Sequence, residues 1–99
     1  MQLLGLPLLE ALKRRHAAAR AALDVWRLEV ERARWRGPQD VKDRYATASF
    51  LPDNRIVFNI KGNTFRLIVK VRYENEIVLV EWVGTHAEYD KLNQKNRVK

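Results

Sequence analysis

Cysteine is absent from the 99-residue chain, and histidine occurs only twice, at positions 16 and 86. Without thiols there is no disulfide framework, no thiolate metal site and no cysteine nucleophile. Neither histidine belongs to a cluster of ligands with metal-binding spacing, so no metal site is expected. The four glycines form no phosphate-cradling loop, and no Ser/His/Asp set is visible. No cofactor is expected. No apolar run is long enough to span a bilayer, and the start Met-Gln-Leu-Leu-Gly-Leu-Pro has no basic n-region. Neither a signal peptide nor a membrane partner is expected, and the expected location is the cytoplasm.

What is present is charge of one sign. Nineteen Lys and Arg against twelve Asp and Glu leave a net +7, spread almost evenly over both halves. A small basic chain of this kind points to a polyanionic partner, nucleic acid or ribosome being the usual ones. Its length fits one domain, residues 1–99, with one modest core.

Three apolar runs rich in β-formers, Arg55–Ile60, Thr64–Arg72 and Ile77–Val83, are separated by Lys61-Gly62-Asn63 and Tyr73–Glu76. This spacing predicts consecutive antiparallel strands. Side chains alternate along a strand. Ile56, Phe58 and Ile60 therefore share one face, as do Phe65, Leu67, Val69 and Val71. The opposite face receives Arg55, Val57, Asn59 and Lys61, then Arg66, Ile68, Lys70 and Arg72, with no acidic residue on either strand. One face is greasy and the other basic.

Before the strands the pattern is helical. Pro7 suits a first helical turn, Leu8, Leu9 and Leu12 supply a stripe, and Lys13-Arg14-Arg15-His16 ends it with cations. A second helix, Ala17 to Trp35, carries Ala19, Leu23, Trp26, Val30 and Ala33 along one side. Gly37-Pro38 stops it, a short third helix over Gln39–Tyr45 turns Val41 and Tyr45 inward, and Ala46–Asn54 reads as a loop anchored by Phe50 and Leu51. After the sheet, Glu88–Gln94 predicts a terminal helical turn. The fold class is α+β: N-terminal helices cover the greasy face of a small, mostly antiparallel sheet, and the basic face stays open.

These residues permit acid–base chemistry on a polyanion without metal. Cleavage of RNA by its own 2′-hydroxyl needs a proton acceptor, positive charge at the phosphorane and an acid for the leaving 5′-oxygen. Arg66 can hold a phosphate bidentately, Lys61 adds a second cation, and histidine, here His86, is the side-chain type whose unperturbed pKa lies near neutrality. Tyr89 can stack on a base, and Asp90 can orient a basic partner. Arg55, Asn59, Lys70 and Arg72 on the basic face, with Lys91 in a tail that also carries Lys95, Arg97 and Lys99, are candidate RNA contacts. Taken singly, each has a plain structural alternative: Arg66 as a salt-bridge partner of Glu81, His86 as a local hydrogen-bond partner, Tyr89 as a packed lid.

Together, Phe58-Asn59-Ile60-Lys61-Gly62-Asn63, Phe65-Arg66-Leu67-Ile68-Val69 and Val83-Gly84-Thr85-His86-Ala87-Glu88-Tyr89-Asp90-Lys91 strongly resemble the HigB family of bacterial toxins. These are mRNA interferases of the RelE/ParE superfamily in type II toxin–antitoxin systems. Trp35, Pro38-Gln39-Asp40-Val41-Lys42 and Ala46-Thr47-Ala48-Ser49-Phe50 look like that family's central segment. The resemblance implies a RelE-like fold, with a possible N-terminal strand in residues 1–4. It implies endonucleolytic cleavage of mRNA in the ribosomal A site. It also implies a HigA-type helix-turn-helix antitoxin as partner, through which alone operator DNA would be reached. By position Arg66 matches the arginine that contacts the scissile phosphate, and Lys61 a lysine used for phosphate binding or proton transfer. His86 stands where relatives place a basic residue, and Asn59 where RelE-like members have another lysine. Tyr89 is similar to the late tyrosine that stacks on the nucleotide, at a spacing different from that of RelE itself. Two alternatives remain open at this point: a ribonuclease independent of the ribosome, and a non-catalytic or ParE-like toxin aimed at gyrase.

Overall fold

The computed structural model describes residues 1–97; Lys99 lies outside the described residues. The elements run β1 (Gln2–Leu4), α1 (Leu6–Arg15), a single 3-10 turn (Ala17–Ala19), α2 (Arg20–Arg32), α3 (Pro38–Arg44), β2 (Ser49–Leu51), β3 (Arg55–Ile60), β4 (Phe65–Arg72), β5 (Ile77–Thr85) and α4 (His86–Arg97). The strands form one sheet in the order β1-β5-β4-β3-β2. Only β1 and β5 run parallel; the other neighbours are antiparallel. The architecture is α+β.

Alternation along β3 and β4 does what the sequence predicts, except that Val57, expected on the open basic face, is also buried. Ile56, Phe58, Ile60, Phe65, Leu67, Val69 and Val71 are all buried, and Leu9 and Leu12 of α1 with Leu23, Trp26 and Val30 of α2 belong to the same core cluster. Phe58 is its aromatic centre. Trp26 meets it edge-on at 5.5 Å, Trp35 stacks on it at 6.2 Å, and Tyr45 meets it at 5.1 Å. Each fully buried side chain of this size stabilises the fold by about 1.5–3 kcal/mol.

Several expectations need correction. The second helix ends at Arg32, not Trp35; the extended Ala33 lets Trp35 turn under the sheet, where it is buried. Leu8 faces solvent, unlike Leu9 and Leu12. Part of the predicted Ala46–Asn54 loop is an edge strand, because Ser49–Leu51 pairs with β3. The turn that folds it back uses Asp53 and Asn54 at φ 62° and 58°, a left-handed conformation that Asp and Asn tolerate better than most residues. Phe50 and Leu51 do not anchor that segment, since both are exposed.

The bare sheet face is not wholly open. β5 runs two residues further than predicted, to Thr85, and α4 starts immediately, at His86 rather than Glu88. α4 brings Tyr89 against Trp82 and Arg66 on the bare face. At the far edge, Gly5 (φ +84°) joins β1 to α1. A Cβ there would lie 2.5 Å from the Val80 carbonyl oxygen, so only glycine lets the chain pass so close to β5.

Candidate active site

Three residues form a row across the bare face. Asn59 of β3 stands opposite Arg66 of β4, and Arg66 stands opposite Gly84 of β5. One Nη of the Arg66 guanidinium donates to Asn59 Oδ1 and the other lies 2.9 Å from His86 Nδ1. Above it sits the Tyr89 ring, 5.3 Å from the guanidinium carbon to the ring centroid. The Arg66 Nε is buried with no hydrogen-bond partner among the described residues. A charged donor in that state costs stability unless an acceptor arrives. The site thus holds a partly desolvated cation whose buried Nε is unused.

His86 is positioned by the start of α4. Thr85 and Glu88 form a reciprocal capping box: the Thr85 N–H donates to Glu88 Oε1 at 2.8 Å, and the Glu88 N–H donates to Thr85 Oγ1 at 3.1 Å. This satisfies two of the otherwise unpartnered donors of the helix terminus. The Thr85 backbone N–H, assisted by Arg15 and the Thr85 hydroxyl, holds the Glu88 carboxyl below its ordinary range against a smaller opposing effect of burial. Arg15, at the end of α1, reaches the same carboxylate at 3.0 Å. The His86 N–H donates to the Thr64 carbonyl at 3.0 Å, which ties α4 to the β3–β4 hairpin. His86, Tyr89 and Asp90 then share one face of α4 at i, i+3 and i+4, and His86 Nε2 lies 3.1 Å from Asp90 Oδ2.

The predicted residues separate into groups. Arg66, His86, Tyr89 and Asn59 come together. Lys61 sits just beyond β3 in the hairpin turn, at φ 53°, so strand parity does not apply to it. Its carbonyl accepts from the Thr64 N–H at 3.2 Å, which keeps its backbone next to the His86 attachment point. The Lys61 side chain is exposed and makes no hydrogen bond or ion pair among the described residues. Arg55 is engaged by Glu81 at 2.7 Å and lies 3.6 Å from Asp53; Glu81 pairs with Arg55, not with Arg66. Lys70 and Arg72 project from β4 about 13 and 20 Å beyond Arg66, at roughly 3.3 Å per residue. There they line a cleft with Arg36, Asn54 and Tyr73. Lys91 is exposed on α4, turned about 140° around the helix from His86. Among the described residues no group of three His, Cys, Asp or Glu is arranged to hold a metal ion.

Sequence reasoning missed Glu88, Arg15 and Trp82. Thr85-His86-Ala87-Glu88 is a T-x-x-E capping signature and marks the α4 start in the sequence. Trp82 is placed by a bulge that no local pattern reveals: Ile68 pairs with Trp82 and Val69 with Val80, leaving Glu81 as the extra residue.

No curated protein matches the chain. Over residues 19–92 it matches the family model described as HigB_toxin, the RelE-like toxic component of a toxin–antitoxin system. That span includes α2, the hairpin, β5 and the start of α4, and therefore every residue of the Arg66 cluster. No helix among the described residues is long and apolar enough to cross a membrane. The chain belongs to the HigB toxin family of RelE-like toxic components of toxin–antitoxin systems.

Proposed function

We propose that this toxin is a metal-independent endoribonuclease, an mRNA interferase that cleaves messages in the A site of translating ribosomes in the cytoplasm and is held in check by a HigA-type helix-turn-helix antitoxin. The observation that carries the reading is the Arg66 guanidinium, partly desolvated, held between Asn59 and His86 beneath Tyr89. A fixed cation beside an imidazole is what 2′-hydroxyl attack on a phosphodiester requires.

The proposed chemistry follows from the donors. Arginine has no lone pair to offer, so His86 Nδ1 accepts from Arg66 and the ring proton sits on Nε2, facing Asp90. A scissile phosphate draws the Arg66 donors, the idle Nε included, onto its oxygens and frees the Nδ1 lone pair. His86 then takes the 2′-hydroxyl proton, and the 2′-oxygen attacks phosphorus. The bond to the 5′-oxygen breaks, leaving a 2′,3′-cyclic phosphate and a 5′-hydroxyl end. Lys61 supplies the second cation, and its ammonium is the donor available to the leaving oxygen. Tyr89 stacks on the nucleotide, and Asn59 fixes Arg66. Lys70, Arg72 and Lys91 bind RNA phosphates away from the reacting linkage, whereas Arg55 already has Glu81.

Induced expression of wild type and Arg66→Ala, with mapping of RNA ends in the cells, tests the reading. Growth arrest with new 5′-hydroxyl ends in wild type, both lost in the folded variant, is expected. Full toxicity of the variant would show that the site lies elsewhere.

A further inference from the structure

We infer that Trp82 extends the Tyr89 stack into a two-ring nucleobase subsite beside Arg66, the indole taking the base adjoining the cleaved linkage. The placement of that base rests on the RNA-cleaving reading above; the aromatic surface itself does not.

Three tryptophans are present, and two belong to the core: Trp26 and Trp35 are 2% and 5% exposed. Trp82 is different. It is partly exposed, lies outside the core cluster and points to the basic side of the sheet. Simple alternation from the buried Val80 would turn residue 82 into the core. The extra residue at Glu81 shifts the register, so Trp82 faces outward opposite Ile68 while Val83 faces the core opposite Leu67.

Gly84 makes room for the ring. A Cβ at Gly84 would lie 2.7 Å from Trp82 Cη2 and 2.8 Å from Cζ2. The indole therefore lies over bare backbone at the position across from Arg66. Tyr89 stands next to it, ring centroids 6.0 Å apart and planes inclined by 58°, and Tyr89 itself covers the Arg66 guanidinium. Cation, phenol and indole thus form one continuous surface. A nucleotide whose phosphate meets Arg66 carries its base onto these two rings. Stacking on aromatic side chains is a strong and sequence-tolerant way to hold a base.

The burial pattern supplies the test, because nucleotide quenching of tryptophan fluorescence reports Trp82 over the two buried indoles. The probes are a dinucleotide with a 2′-deoxy first sugar, which cannot be cleaved, and the same molecule with an abasic first sugar. The base-bearing probe should quench the full-length protein and the abasic probe should not. Trp82→Phe should abolish the quench while keeping most of the affinity, measured by anisotropy of a labelled probe. Trp82→Ala should weaken binding about tenfold. Equal binding of the abasic probe, no quench in wild type, or unchanged affinity in folded Trp82→Ala would overturn the subsite. RNA cleavage assayed in parallel on programmed ribosomes separates the two readings. Base-dependent quenching without cleavage supports the subsite while removing the nuclease, and cleavage with an unchanged KM in Trp82→Ala removes the subsite alone.

Discussion

Arg66 and His86 meet at 2.9 Å, and the direction of that hydrogen bond is fixed because a guanidinium cannot accept. His86 therefore presents a lone pair at Nδ1 and a proton at Nε2 toward Asp90. Nitrogen chemical shifts of the histidine rings should show His86 as the Nε2–H tautomer, and Arg66→Ala should release that preference. Arg66→Lys keeps the charge but cannot donate to Asn59 and His86 in the same fork geometry. RNA cleavage should fall about 10²–10³-fold in that variant, the loss usual for a donor that meets transition-state charge. Its melting temperature should change little.

The cap on α4 acts on the site through position. Glu88→Ala removes one half of the capping box and should cost about 1 kcal/mol. Because the folded protein holds the Glu88 carboxyl below its ordinary value of 4.5, the stabilisation is complete above that value. It is lost as pH falls below 4.5 and through the folded-state pKa. Melting curves of wild type and Glu88→Ala should differ at neutral pH and converge in acid. Cleavage should fall as well, through loss of His86 placement, and Glu88→Gln should recover part of it, since the amide oxygen still accepts from the Thr85 N–H.

Cations on the basic face should not be equivalent. Arg55 is paired with Glu81, whereas Lys70 and Arg72 line a cleft with Arg36. Lys70→Ala combined with Arg72→Ala should weaken RNA binding and flatten its salt dependence by about 0.7 per phosphate contact removed. Arg55→Ala should leave that slope unchanged. Equal slopes for the two variants would contradict the division of roles.

Trp26 provides a control that has nothing to do with RNA. It is 2% exposed and packs edge-on against Phe58. Trp26→Ala should destabilise the protein by about 3–5 kcal/mol. Denaturant unfolding measures this directly, and the residual folded fraction should retain its catalytic rate.

The sheet was readable in the sequence because its strands alternate cleanly: Phe58 and Leu67 go inward and Arg66 outward, as period two demands. Grouping Arg66 with His86 and Tyr89 also followed from the sequence, through the family-like ending Val83–Lys91. What stayed hidden depends on departures from periodicity. A three-residue strand at Ser49–Leu51 is too short to show alternation, and the Glu81 bulge reverses parity without any local signal. The outward turn of Trp82 follows from that bulge. Lys61 falls one residue beyond its strand, where a positive φ ends the alternation that had placed it beside Arg66. The start of α4 was written in Thr85-His86-Ala87-Glu88, but a polar stretch after a strand is easily taken for a tail.

The most direct test of the central claim is cleavage of a defined mRNA by purified protein, with and without programmed ribosomes, with the cut sites mapped by primer extension. The proposed function predicts cuts that require ribosomes, stand in register with the A-site codon, end in a 5′-hydroxyl, and vanish with Arg66→Ala. Cuts of equal yield without ribosomes would retain the nuclease but contradict its ribosome dependence. No cuts in either reaction, from folded wild-type protein, would contradict the nuclease itself.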